Sequence, residues 1–411
     1  MGLDRPGERF TAEDSLEELA ALVEAAGGVV VGRTLQQRRT PDPNTWVGSG
    51  KAAEVAAERT RCGADLVVCD EELSPKQQQN LEKVCAVRVI DRSAVILDIF
   101  ARHARSKEGR LQVELAQLEY RYPRLAGSRA GLSRLGGGIG TRGPGESKLE
   151  SEKQVIRRRL QELRARLADV AAQRERGRRA REQDGLFLAA LVGYTNAGKS
   201  TLMNALAAAD VLVADQPFAT LDPTTRRATL PSGTVVLFSD TVGFIHKLPP
   251  ALVAAFRATL EELDDADLLV HVADVAQPNL HERIGVVDET LASLGLGERE
   301  RLLVLNKSDA LVGPEGVAVR EAVEGAFPEA VFVSARSGEG LETLRSRLQA
   351  AAASRWTRVA VTLPHRAGAL VQRIRERGAL RSVTYVERGI EIEAEVPPAL
   401  LAELRTAARE G

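Results

Sequence analysis

Phe187-Leu-Ala-Ala-Leu-Val192-Gly193-Tyr194-Thr195-Asn196-Ala197-Gly198-Lys199-Ser200 is the stretch that decides the reading of this chain. Six apolar residues in a row predict a strand buried on both faces. They run directly into the spacing G-x-x-x-x-G-K-[ST] of a phosphate loop, and a helical pattern follows. Glycine permits the tight wrap that aims backbone N–H groups at phosphates. Lys199 can reach the β- and γ-phosphates, and the Ser200 hydroxyl can ligate magnesium. The string alone can arise by chance; the strand before it and the helix after it make nucleotide binding the expectation.

Reading toward the C-terminus, further apolar runs at 235–238, 268–272, 301–305 and 330–333 alternate with helical patterns, which predicts a doubly wound, mostly parallel sheet. Three short motifs close strands of that sheet. At Asp240-Thr241-Val242-Gly243 a carboxylate can hold magnesium through water, and a glycine N–H can sense the γ-phosphate. At Asn306-Lys307-Ser308-Asp309 an acidic side chain can accept hydrogen bonds from guanine N1–H and the exocyclic amine, a pairing that adenine does not offer. The backbone of Ser334-Ala335-Arg336 can bond the guanine carbonyl. Each motif is weak alone; their order and shared position at one sheet edge predict guanine specificity. Phe218-Ala219-Thr220-Leu221-Asp222 falls between the first helix and the second strand, where a switch loop supplies a threonine to magnesium. Thr220 is the candidate, with Thr224 and Thr225 as close rivals. The expected enzyme is a magnesium-dependent GTPase with Lys199, Thr220 and Gly243 at the reacting phosphate and Ser200 and Thr220 on the metal. Phe244 follows Gly243, where many GTPases place a glutamine to orient the attacking water. A phenyl ring makes no such bond, so slow intrinsic hydrolysis, accelerated by a partner, is expected.

Upstream the periodicity changes. Leu111, Leu115, Leu118 and Tyr122, and then Ile156, Leu160, Leu163, Leu167 and Val170, follow heptad steps. The two seams can supply each other's partner as an antiparallel helical hairpin. Between them lies a loop rich in glycine and arginine, 127–148, expected to be mobile in the free protein and to reach RNA. Residues 101–185 hold 21 Lys and Arg against 11 Asp and Glu, or +10, while the remainder holds 35 against 46, or −11. One basic segment in an otherwise acidic chain suggests a docking surface for a polyanion, with Arg157, Arg158 and Arg159 as its expected contact cluster.

Residues 1–100 alternate helical patterns with the short runs 29–31, 66–69 and 87–90, which predicts a small α/β layer. The turn Gly48-Ser-Gly-Lys51 lacks the full phosphate-loop spacing and reads as a plain passage from loop to helix. Cys62, Cys69 and Cys85 match no common zinc spacing and read as free thiols of a reducing cytoplasm. The tail beyond the linker 351–355 reads as a small α+β module. The full expectation is a small α/β domain (1–100), a basic helical hairpin (101–185), a P-loop GTPase domain (186–353) and an α+β domain (356–411). No apolar run approaches the ~18 residues of a membrane span, and the N-terminal decapeptide has no signal-peptide pattern. A cytoplasmic monomer without stable membrane insertion is expected.

These motifs together resemble the HflX family of ribosome-associated GTPases. The resemblance rests on Trp46-Val-Gly-Ser-Gly-Lys51, Asp91-Arg-Ser-Ala-Val-Ile-Leu-Asp98, Leu111-Gln-Val-Glu-Leu-Ala-Gln-Leu-Glu-Tyr120 and Gly136-Gly-Gly-Ile-Gly-Thr-Arg-Gly-Pro-Gly-Glu-Ser-Lys148, besides residues 193–201, 218–226 and 240–245. The glycine-rich loop is the most specific of these, because unrelated GTPases lack it; its familiar form has Thr where this chain has Ser147. The resemblance implies a cytoplasmic GTPase, with Mg2+ as cofactor, that binds the large (50S) ribosomal subunit and splits or rescues stalled 70S ribosomes under stress. It implies Ser200 and Thr220 on magnesium, and the hairpin with its tip in ribosomal RNA. A GTPase of ribosome assembly, a nucleotide-gated RNA-binding switch and a tRNA-handling protein share many of these features.

Overall fold

The computed structural model describes residues 1–125, 144–184, 186–207, 218, 224–231, 234–249 and 263–409. Strand β5 (Phe187–Val192) is buried at all six positions. It lies inside a six-stranded sheet whose order is β10-β9-β8-β5-β7-β6. The other strands are β6 (Thr224–Thr229), β7 (Val235–Asp240), β8 (Leu268–Asp274), β9 (Arg301–Asn306) and β10 (Val331–Phe332). All pairings are parallel except that of β6 with β7. Leu191, Val236, Phe238, Val270, Val272 and Val304 form the sheet's part of one core, against Leu202 and Met203 of α7 (Lys199–Ala207) and Leu344 and Leu348 of a later helix. The doubly wound, mostly parallel sheet is as the sequence predicts. The antiparallel edge strand β6 is an addition: Thr224-Thr-Arg-Arg carries no apolar alternation, because an edge strand with exposed residues needs none.

The chain divides into two contact units. Among the described residues, the first takes those within Met1–Ala171 together with Phe218 and 244–249, and the second takes the others. The second unit also holds a three-stranded antiparallel sheet of order β11-β13-β12, with β11 Thr357–Leu363, β12 Ala379–Val386 and β13 Gly389–Val396. It packs on helices Gly368–Arg377 and Pro398–Arg409 around Leu363, Ile374, Ile392 and Leu404, giving the small α+β module expected of the tail.

In the first unit, β1 (Gly2–Asp4) pairs in parallel with β2 (Leu35–Gln37), and β3 (Leu66–Cys69) with β4 (Arg88–Asp91). Met1 joins the pairs: its amine donates to Val68 O at 2.9 Å and its carbonyl accepts from Asp70 N at 2.9 Å. The run 29–31 is not a strand. Val29 is 84% exposed, and the pairing partner of Gly2 is Leu35, so the three-residue β1 selects the chain farther on. Helix α1 (Ala12–Ala25) starts at Thr11, whose hydroxyl accepts from Asp14 N. Gly48 is the N-cap of α2 (Ser49–Cys62), its N–H donates to Gln36, and Lys51 pairs with Glu54, as a plain start of a helix would have it. Helix α3 (Pro75–Cys85) opens on a Ser74/Gln77 capping box. Cys69 and Cys85 are buried free thiols, and burial raises both pKa values.

Helix α4 (Arg92–His103) leads into α5 (Lys107–Arg124), which packs against α6 (Pro144–Asp184) along both predicted seams: Leu111, Leu115, Leu160 and Leu163 are buried, with Leu118, Ile156 and Leu167 beside them. The expected arginine cluster is divided. Arg159 forks onto Glu114 at 2.7 and 2.9 Å, and Arg157 donates to the Tyr122 hydroxyl at 2.6 Å, so both hold the helix pair together, whereas Arg158 is exposed. The glycine-rich loop expected over 127–148 lies outside the described residues up to 143, and residues 144–148 open α6 instead, with Pro144 at the first helical position where its missing N–H costs nothing.

Two buried carboxylates organise this unit. Asp91 caps α4 through Ala94 N and also accepts from Leu73 N, the Tyr120 hydroxyl and Arg124, tying α5 to the sheet. Asp70 accepts from Arg92 at 2.8 Å, Ser15 at 2.6 Å and Lys247 at 2.9 Å. Burial would raise the Asp70 pKa, but Arg92 and Lys247 outweigh it and hold the carboxyl below its ordinary value. Asp91→Ala leaves Arg124 and the Tyr120 hydroxyl without their buried partner, so it should lower the stability of this unit by about 3–5 kcal/mol. Urea unfolding followed through the fluorescence of buried Trp46 measures this, and a change within roughly 1 kcal/mol, the worth of an ordinary hydrogen bond, would contradict it.

Candidate nucleotide-binding site

The carboxyl ends of β5, β7, β8 and β9 form one edge of the sheet, where the crevice of a doubly wound fold lies. The turn from β5 into α7 is possible only with glycine at two places. Gly193 has φ +153°, and a Cβ there would lie 2.1 Å from Val272 O; Gly198 has φ +89°, and its Cβ would lie 2.3 Å from Asn306 Nδ2. Asn196 also takes a positive φ of 59°, which asparagine tolerates better than most residues. Tyr194, Thr195 and Ala197 are buried.

Lys199, the first residue of α7, is buried and donates to Gly193 O at 3.1 Å and Tyr194 O at 3.0 Å. Burial pushes its pKa down to about 8, with Asp240 pulling the other way. The ammonium is therefore poised where a phosphate would replace carbonyl contacts with full negative charge. Ser200 Oγ donates to Asp240 Oδ2 at 2.5 Å. A hydroxyl and a carboxylate this close are hard oxygen donors of the kind magnesium accepts alongside phosphate oxygens. Thr241 faces inward and donates to Leu191 O at 2.7 Å, so it braces β7 against β5. Gly243 passes close to the loop, since a Cβ there would sit 2.9 Å from Thr195 Cα and 3.0 Å from Lys199 Nζ. Val242 is buried. The next residues, from Phe244, belong to the first unit; there Phe244 and Ile245 are buried, the His246 ring lies 4.6 Å from that of Phe10, and Lys247 meets Asp70.

Asn306 is buried and uses both ends of its amide: Nδ2 donates to Ala197 O at 2.9 Å, and Oδ1 accepts from Ala335 N at 3.0 Å. Lys307 takes a left-handed φ of 65° and pairs with Asp274 Oδ2 at 2.9 Å. Ser308 N donates to Val333 O at 3.1 Å, which leaves Asp309 on a short 3-10 turn with its side chain exposed. Ser334 is buried; its hydroxyl accepts from Ser337 N, and its N–H donates to Glu339 O. Arg336 is exposed on the same turn. The second unit thus brings residues 193–200, 240–243, 306–309 and 334–336 to one edge. Phe218 lies in the first unit, buried and edge-on to Phe100 at 4.6 Å. Ala219, Thr220, Leu221 and Asp222 lie outside the described residues, and the rivals Thr224 and Thr225 are exposed on edge strand β6. Asp274, which orients Lys307, went unremarked in the sequence; its position as the last residue of an apolar strand at this edge was the available signal.

Three family models match the chain in succession: "GTP-binding GTPase N-terminal" over residues 13–101, "GTP-binding GTPase Middle Region" over 103–181 and "50S ribosome-binding GTPase" over 188–307. The GTPase HflX of Lacrimispora saccharolytica is 45% identical over 398 residues, covering 97% of this chain and 93% of the relative. That of Escherichia coli K12 is 42% identical over 385 residues, covering 93% and 90%. A GTP-binding protein of Sulfolobus solfataricus, solved with GDP, is similar at 23% identity and a TM-score of 0.44, covering 86% of this chain and 98% of that one.

Because burial lowers Lys199 to about 8, the free protein loses this ammonium as pH rises through that value, and bound triphosphate restores it. GTP affinity should fall above that pH, and binding at pH 8 should take up roughly half a proton. Calorimetric titrations in two buffers of different ionisation enthalpy read the uptake, which should vanish at pH 6.5. Absence of uptake at pH 8 in the unmodified protein would contradict the placement of Lys199 against phosphate.

Proposed function

The chain belongs to the HflX family of GTPases, and we propose that it is a cytoplasmic factor that binds the large ribosomal subunit and splits or rescues stalled 70S ribosomes under stress. In this reading residues 193–200 wrap the phosphates, Lys199 neutralises the β- and γ-oxygens, and Gly243 N–H reads the γ-phosphate. Asp309 accepts the two guanine donors, while Ala335 and its neighbours face the guanine carbonyl. Magnesium, when bound, adds charge neutralisation at the β- and γ-oxygens; Ser200 and Thr220 are the residues proposed to hold it, with Asp240 acting through water. Phe244 offers no side-chain amide to the attacking water, so basal turnover is slow. Phosphoryl transfer depends mainly on positioning and electrostatics, and ordering of the switch residues by a partner supplies what is missing.

The observation that carries the ribosomal reading is the division of labour on the hairpin. Arg159 and Arg164 are committed to Glu114 and Glu119, yet Arg121, Arg158 and Arg166 remain exposed on the same pair of helices. The pair is thus held by one set of cations and offers another to a polyanion. A family model described as a 50S ribosome-binding GTPase supports the same partner.

Single-turnover GTP hydrolysis should accelerate by orders of magnitude with purified 50S subunits, as partner-activated GTPases do. Replacing Arg121, Arg158 and Arg166 by Gln should flatten the salt dependence of subunit binding and leave GTP affinity of the free protein unchanged. In sucrose gradients, the triphosphate-loaded protein should convert 70S particles to subunits. Binding to 50S precursors without any effect on 70S would replace splitting with a role in assembly. Fast hydrolysis by the free protein, or indifference to ribosomes at low salt, would defeat the reading.

A further inference from the structure

We propose that Arg283 is a positioning residue for the phosphate loop, acting through the ring of Tyr194 on the carbonyls that hold Lys199. Arg283 lies in the first turn of helix Leu280–Ser293, where its N–H donates to Asn279 O at 3.0 Å. Its guanidinium carbon stands 4.7 Å from the centroid of the Tyr194 ring. Arg283 Nε is buried without a hydrogen-bond partner, and among the described residues the side chain forms no ion pair with a carboxylate. A cation placed this way without an acid is held by the π face beneath it.

Tyr194 is itself buried and is the second residue of the loop. Its carbonyl accepts from Lys199 Nζ at 3.0 Å and from Ala197 N at 3.3 Å, and the Gly193 carbonyl accepts from the same ammonium at 3.1 Å. Fixing the Tyr194 ring fixes this peptide, and with it the anchor from which the lysine reaches the phosphates. Asn306 holds the loop at its Ala197 end, so the Tyr194 end needs a brace of its own. The helix supplies one through Arg283. The effect belongs to the reaction more than to ground-state binding: a lysine displaced by a few tenths of an ångström still attracts a diphosphate, but it meets the developing charge of the transferring phosphoryl group less well.

The inference rests on the assignment of Lys199 to the phosphates, and the two are separable. Lys199→Met should abolish triphosphate binding; if it does not, the site reading fails whatever Arg283 does. With that control in place, Arg283→Met in the full chain should slow single-turnover hydrolysis of bound GTP about 10-fold, the scale of one well-placed cation–π contact. GDP affinity should stay within about 2-fold and the melting temperature should fall by no more than about 2–4 °C, the share of the contact already made in the free protein. Arg283→Lys should recover most of the rate because it keeps a cation over the ring. Tyr194→Leu should slow the reaction similarly, and its combination with Arg283→Met should be no slower than either alone. A wild-type rate in Arg283→Met, additive losses in the double variant, or a parallel fall in GDP affinity and melting temperature would each overturn the proposal.

Discussion

One buried amide holds the proposed nucleotide site in register. Asn306 ends β9, donates to Ala197 O in the phosphate loop and accepts from Ala335 N in the following turn. Three segments far apart in sequence therefore share two hydrogen bonds of one side chain. The geometry is tight enough to set sequence elsewhere: Gly198 must lack a Cβ because that atom would meet Asn306 Nδ2. No other residue type matches the requirement, since Asp offers no donor, Gln is a methylene too long, and a hydroxyl cannot span both partners.

The electrostatics follow from that packing. Because residues 193–198 close over Lys199, the side chain is desolvated and its ammonium is costly in the free protein. In the proposed reading, a bound phosphate would complete that neutralisation. Asp240, which pulls against that burial, is also the carboxylate bonded by Ser200, so one acid serves both the lysine and the Ser200 hydroxyl. In the first unit the same logic produces a different result. Asp70 and Asp91 are buried but saturated with donors, and they fix the sheet to α4, α5 and the segment containing Lys247.

The second unit was largely legible because its signals are local. A buried parallel strand needs an unbroken apolar run, and a phosphate loop needs glycine at fixed intervals, so β5 and residues 193–200 announce themselves. The heptad seams of α5 and α6 were equally plain, since each leucine must recur on one face. What failed depended on pairing at a distance. Residues 29–31 look like a strand by composition, yet the partner is three-residue β1, and its hydrogen bonds fall on 34–38. Arg157 and Arg159 look like free charge in a basic run, but their acceptors sit on the other helix of the pair. Asp274 and Arg283 were missed for the same reason: each matters only through a neighbour that folding brings to it.

The claim that Asn306 couples the phosphate and base segments is tested most directly by the affinity of GDP for Asn306→Ala. The substitution removes two hydrogen bonds and leaves Ala197 O and Ala335 N without their partners, a loss on the order of 2–4 kcal/mol. Titration calorimetry should therefore show GDP binding weakened by roughly 30- to 1,000-fold in a protein that remains folded. A dissociation constant within about 3-fold of the unmodified protein's, under 1 kcal/mol, would contradict the account.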